Sequence, residues 1–253
     1  MNTPLIFDIK RGSTSDGPGI RTVVFFKGCN LDCKWCHNPE GKSPQAQLAI
    51  FREKCIGCGS CDEICHGDSQ GCIACGKCVE VCPANARKLY GRAYTAQELV
   101  QLICRDKAYF DATGCGVTFS GGECMLYPEF LARVAALCHR KGISVAIDTA
   151  GCVSYSAFES VMKDCDLFLY DIKCLDPQLH IKGTGKDNRL ILENLSRLQD
   201  AGKRLIIRVP VIPGFQDEQE LERIREFCRE RSLPAEFLPY HAFGEDKKKA
   251  LIW

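Results

Sequence analysis

Cys29-Asn-Leu-Asp-Cys33-Lys-Trp-Cys36 puts three thiols on one short loop, with His37 and Asn38 directly behind. Thiolates at this spacing can hold three corners of an iron–sulfur cubane. A cubane bound wholly by protein takes four cysteines. Three leave one iron with an open coordination position, the mark of a metal centre that carries out a reaction. A zinc knot or a redox-sensing trio is the plainer reading of the same residues.

A second cysteine pattern lies further along. Cys55-x2-Cys58-x2-Cys61-x3-Cys65 is followed by Cys72-x2-Cys75-x2-Cys78-x3-Cys82-Pro83, the only internal repeat. This is the run of bacterial two-cluster ferredoxins, in which the fourth cysteine of each run ligates the other cluster. Cys55, Cys58, Cys61 and Cys82 are therefore expected on one cubane, and Cys65, Cys72, Cys75 and Cys78 on a second. A zinc ribbon is the alternative. Gly57, Gly59, Gly71 and Gly76 let backbone amides approach the sulfurs.

The elements that must position these groups alternate. The apolar run 21–27 ends at Gly28, where the three-thiol loop begins. Thr95-Ala-Gln-Glu98 is a capping box opening a helix with Leu99, Leu102 and Ile103 on one face. Strand-like runs at 116–120, 144–149, 166–172, 204–209 and 235–240 are then separated by helices expected at 128–141, near 155–163, at 187–201 and at 217–231. Six β–α units predict a parallel sheet with right-handed crossovers, too few for a closed eight-fold barrel. The expected fold is α/β, an open partial (βα)6 barrel over residues 1–48 and 92–253, with a small ferredoxin-like domain inserted at 49–91. Residues 1–20 read as turn-rich around Thr14-Ser-Asp-Gly-Pro-Gly19. The run Glu245–Lys249 reads as a solvated charge patch.

In a parallel sheet, residues just past each strand converge on one rim. Ser120-Gly121-Gly122-Glu123-Cys124 offers close backbone approach and a carboxylate that can accept from an ammonium. Asp148-Thr149 and Asp171-Ile172-Lys173 follow the next two strands, and Arg208 and His241 the last two. Isolated, each motif is an ordinary turn, a surface lysine or a structural histidine.

At 253 residues, net charge +1 and 45% apolar content, the chain can bury a full core. It carries no electrostatic footprint for nucleic acid or an anionic membrane. The N-terminus has no basic segment before an apolar one, and no stretch approaches a membrane span. Nineteen cysteines without a secretory signal point to a cytoplasmic, oxygen-sensitive iron–sulfur protein. The eight outside both patterns are expected as small buried hydrophobes.

The motif Cys29–Cys36 resembles the radical S-adenosylmethionine (SAM) superfamily signature, C-x3-C-x-aromatic-C. Asp16-Gly-Pro-Gly-Ile-Arg21 and Trp35-Cys-His-Asn-Pro-Glu40 resemble one branch, the glycyl-radical-enzyme activating enzymes. The resemblance implies the same partial barrel, a cluster on Cys29, Cys33 and Cys36 with SAM on its open iron, and a SAM amino group at Gly121-Gly122-Glu123. It also implies a monovalent cation held by Asp148, Thr149, Asp171 and the Leu169 carbonyl, SAM contacts from Ile172, Lys173, Arg208 and His241, and adenine bordered by Trp35 and His37. The partner would be a glycyl radical enzyme. Flavodoxin or ferredoxin would be the donor, the two further cubanes a relay or docking module, and the protein a monomer. Members usually continue beyond Tyr240 for several elements, so the chain is expected to be short or truncated. The alternatives are a radical SAM enzyme for a small molecule or another peptide site, and a non-catalytic electron carrier.

Overall fold

The computed structural model describes residues 3–65, 71–240 and 243–251. Among the described residues ten strands form two sheets: β1 (Leu5–Ser13), β2 (Arg21–Phe26), β3 (Gln47–Ile50), β4 (Arg87–Tyr90), β5 (Arg92–Ala93), β6 (Gly116–Gly121), β7 (Ser144–Thr149), β8 (Leu167–Asp171), β9 (Leu205–Val211) and β10 (Ala235–Pro239). The main sheet runs β10-β9-β8-β7-β6-β2-β1-β5. Its six strands from β2 to β10 are mutually parallel, the six read from the sequence.

Alternation along each strand explains the layers. Val24, Phe26, Val117, Phe119, Val145, Ile147, Phe168, Tyr170, Ile207 and Val209 point outward into one core shared with the helices. The intervening positions, Thr118, Ser120, Asp148, Leu169 and Arg208, belong to the opposite face. That inner face mixes small apolar with polar side chains, as a ligand-lined interior must.

The helices form where caps and apolar spacing require. Thr95 and Glu98 complete both halves of the capping box. Pro128 opens the helix Pro128–His139, and Asp217 accepts from the Glu220 amide to open Glu218–Glu230. No helix among the described residues is long and apolar enough to cross a membrane.

Three expectations need correction. Residues 5–13 are not turn but a nine-residue strand, antiparallel to β2. Only Ile6, Phe7 and Ser13 of it are fully buried, so its charged outer half masks the strand pattern. Residues 177–184 form a further helix, capped by the Asp176 carboxylate on the Leu179 amide and stopped at Gly185. The terminal charge run lies in a helix, Phe243–Ala250, whose Lys247 reaches the buried Glu40 at 2.8 Å rather than facing only water.

The cysteine repeat sits on an antiparallel hairpin of β3 and β4. Its two copies fold alike: short helices Ser60–Glu63 and Lys77–Glu80 each start after a left-handed glycine, Gly59 at φ 76° and Gly76 at φ 80°.

Candidate active site

The three-thiol loop leaves the C-terminal end of β2 and is tied down along its length. The Gly28 amide donates to Gly41 O at 2.7 Å and Cys29 N to Lys42 O at 3.0 Å, closing the loop at its neck. Asp32 N and Lys34 N donate to Thr184 O and Gly183 O, the last turn of the helix at 177–184. Lys42 Nζ reaches Cys33 O at 3.1 Å. Burial pushes the Cys29 thiol up to about 12 and raises Cys33 and Cys36 too, with Lys173 and Lys42 pulling Cys33 and Cys36 the other way. Desolvated thiols beside two ammonium groups are poor thiolates on their own and good ones once a metal replaces their protons. The Leu31 amide already points at Cys29 Sγ, at 3.5 Å. Among the described residues no three His, Cys, Asp or Glu side chains converge tightly enough to grip one ion, so the fit to a cluster rests on this donor chemistry.

Gly121-Gly122-Glu123 crosses the neck of that loop. Gly122 N donates to Phe26 O at 2.8 Å and Glu123 N to Gly28 O at 2.7 Å. A Cβ on Gly122 would lie 2.3 Å from Gly28 O and 2.4 Å from Gly41 O, so only glycine permits the crossing. The Glu123 carboxylate is fully buried and accepts from Met125 N (3.0 Å), Thr149 Oγ1 (2.8 Å) and Ala150 N (2.9 Å). Burial still raises it to about 7, ahead of those three donors. It thus ties the ends of β6 and β7 together, and Thr149 spends its hydroxyl there rather than toward Asp148 or Asp171.

Beside it, Asp148 accepts from Ser120 Oγ at 2.7 Å and lies 3.4 Å from Arg208 Nη1. Asp171 takes Lys173 Nζ at 2.8 Å. Register sets Asp148 opposite Leu169, and Asp171 opposite Arg208. Burial raises Asp148 to about 6, with Arg208 opposing. Desolvation disfavours the Lys173 charge, but Asp171 and the Cys33 thiol outweigh it and hold the ammonium above its ordinary value. Ile172 is buried and its amide donates to Arg208 O. Trp35 packs on Phe215 with ring centres 4.1 Å apart, and His37 on Tyr240 at 5.6 Å. His241 lies outside the described residues.

The Radical SAM superfamily profile matches residues 23–228. The chain is 44% identical to the trans-4-hydroxy-L-proline dehydratase activating enzyme of Clostridioides difficile, over 96% of this chain and 86% of that one. It is 40% identical to the choline trimethylamine-lyase activating enzyme of Oleidesulfovibrio alaskensis, over 98% and 87%. The chain belongs to the radical SAM glycyl-radical-enzyme activating enzymes. In fold alone it also matches Streptococcus suis SuiB bound to precursor peptide SuiA, with a TM-score of 0.58 at 15% identity over 87% of this chain and 39% of that one.

The activating enzyme's other signature, Asp16–Arg21, lies away from the thiols. Arg21 is buried and donates to Thr118 Oγ1 (2.7 Å), Val117 O (2.7 Å) and Ser144 O (3.3 Å), while Thr118 Oγ1 donates to Asp16 O. The loop therefore closes the N-terminal end of the sheet, and Ser15 O there accepts from Arg208 Nη2 at 3.1 Å. Several positioning residues carried no sequence signal. Gln216 Nε2 holds Lys173 O and Pro210 O, and Asn194 Nδ2 holds Gly151 O and Val153 O. Buried Lys27 reaches Glu40 O and Gln47 Oε1, joining the thiol loop to β3. Of the eight leftover cysteines, all but Cys104 are buried, as expected of small hydrophobes.

Proposed function

We propose that this activating enzyme holds a [4Fe–4S] cluster on Cys29, Cys33 and Cys36, binds SAM across the C-terminal rim, and serves a glycyl radical dehydratase, decarboxylase or lyase. The observation that carries the reading is the backbone crossing of Gly28, Gly41 and Gly122, which fixes the three-thiol loop against the rim of Glu123, Asp148, Asp171 and Lys173. When bound, the cluster supplies the electron that cleaves SAM to methionine and a 5′-deoxyadenosyl radical, which removes hydrogen from a glycine Cα of the partner.

The chain's own residues orient and exclude. Glu123 uses three of about four carboxylate lone-pair sites internally, leaving capacity for an ammonium beside the glycine backbone. The buried Nε–H of Arg208 has no acceptor among the described residues, and a ligand carboxylate would satisfy it. Lys173 stays charged beside Cys33 and offsets the same carboxylate. Asp148, Asp171 and the Leu169 carbonyl offer hard oxygen to a monovalent cation, while the Thr149 hydroxyl, expected beside them, is turned to Glu123 and Gly151. Trp35 and His37, backed by Phe215 and Tyr240, supply the aromatic border for adenine.

In the insert, a cavity of about 220 Å³ is walled by Cys65, Cys72, Cys75 and Cys78, the four assigned to one cubane. Cys55, Cys58, Cys61 and Cys82 would hold the other, where Ala86 N already donates to Cys82 Sγ at 3.3 Å. The two clusters would pass electrons from a flavodoxin or ferredoxin to the site of a monomeric, cytoplasmic enzyme.

The test is anaerobic incubation of reconstituted, reduced protein with SAM and the glycyl radical enzyme encoded beside its gene. A glycyl radical EPR doublet with matching 5′-deoxyadenosine is expected. SAM cleavage with product from a small molecule alone, or no cleavage at all, would replace the reading with another radical SAM activity or with electron carriage.

A further inference from the structure

Arg87 opens β4 and pairs with Ile50 at the end of the hairpin that faces the cysteine repeat. Its side chain is only 17% exposed. It lines the 220 Å³ cavity together with Cys65, Cys72, Cys75 and Cys78. Its Nη2 lies 3.8 Å from Asp62 Oδ1, next to Cys61 of the other copy of the repeat. One guanidinium therefore spans from the first cysteine run to the second.

Asp62 does not account for that burial. It is 82% exposed, and such a pair contributes roughly 0–1 kcal/mol. A cation drawn out of water needs anionic or hydrogen-bonding partners close by. The partners that its burial calls for are the thiols around it: Cys65, Cys72, Cys75 and Cys78 share its cavity wall, and Cys61 adjoins Asp62 on the other side. Arginine, with five donors in a rigid planar fork, can reach acceptors farther apart than the compact ammonium of a lysine can.

Cluster potentials follow net charge, hydrogen bonds to sulfur and solvent exposure. Reduction adds negative charge, so a fixed cation with N–H groups on the sulfurs favours the reduced state. We propose that Arg87 sets the reduction potentials of both auxiliary clusters by donating to a cysteine sulfur of each. This rests on the reading that the insert holds two cubanes. Because one guanidinium serves both, it raises the two potentials together and couples them, which keeps either cluster from becoming a dead-end trap for the electron.

The experiment uses the full chain with Cys29, Cys33 and Cys36 all changed to Ala, so that only auxiliary clusters contribute. Iron analysis comes first. About eight irons per chain, two cubanes, uphold the two-cluster reading, and an iron-free chain would sink that reading itself. EPR-monitored redox titration then compares Arg87 with Arg87→Lys and Arg87→Met in that background. The expected order of midpoints is Arg above Lys above Met for both clusters. From Arg to Met the reduction equilibrium should shift at least tenfold, about 59 mV for one electron. If the Met variant fails to load iron, the Arg-to-Lys drop decides. Unmoved midpoints at unchanged iron content would overturn the assignment of Arg87 while leaving the two clusters in place.

Discussion

Gly122→Ala should disconnect the three-thiol loop from the sheet. The added methyl would sit 2.3 Å from Gly28 O and 2.4 Å from Gly41 O, both backbone atoms. Ordinary contact requires a retreat of about 1 Å or more, and neither neighbour is a side chain that can rotate away. Three short bonds cross this point: Gly28 N to Gly41 O, Gly122 N to Phe26 O, and Glu123 N to Gly28 O. Losing them costs about 1 kcal/mol each, and overpacking adds about 1–3 kcal/mol. The sum, about 4–6 kcal/mol, corresponds to a Tm lowered by roughly 10–20 °C at this chain length. Gly142→Ala is the control, since its φ of +66° strains an added Cβ but nothing lies within 4 Å. It should cost about 1 kcal/mol. Anaerobic calorimetry of reconstituted protein, with iron analysis, reads both effects. Gly122→Ala should also lose the loop's share of iron. If it melts within a degree or two of the Gly142 variant with full iron, the crossing does not hold the site.

Two further outcomes follow from buried charges. Burial raises Glu123 from 4.5 to about 7, so the folded chain keeps a proton there that the unfolded chain has released. Its contribution to ligand-free stability is full below pH 4.5 and lost as pH rises to 7. Glu123→Gln should flatten that part of the stability profile, and parallel profiles for the two proteins would refute the assignment. Arg21→Lys should lower stability by about 3 kcal/mol, because a lysine cannot reproduce a fork onto Thr118, Val117 and Ser144. Urea unfolding measures it, and a loss of SAM cleavage without a loss of stability would instead place Arg21 in the reaction.

What the sequence showed and hid follows from the range of each interaction. Cys29, Cys33 and Cys36 stood out because three thiols fall within eight residues, which the structure sets on one loop after β2. The six parallel strands were legible because continuous apolar runs bounded by helix caps mark buried strands. The strand at 5–13 was hidden because Asp8, Lys10 and Arg11 break its alternation, and the helix at 177–184 because it has little apolar face. Long-range polar clamps left no local trace. Nothing near Gln216 announces that it holds Lys173 O, and the buried partners of Arg21 lie on strands about a hundred residues away. Glu123 was found by its motif, yet its three internal donors depend on how β6 meets β7, which no local pattern encodes. Lys247 read as solvent-facing because its partner, Glu40, is far away in sequence.

The proposed chemistry requires SAM to chelate an iron that the three thiols leave open. Electron–nuclear double resonance on the reduced protein with ¹⁵N-amino and ¹⁷O-carboxylate SAM measures this directly. Hyperfine coupling to both labels, abolished when any one of Cys29, Cys33 and Cys36 is replaced by Ala, is the predicted result. A reduced cluster with no coupling to either label would contradict it.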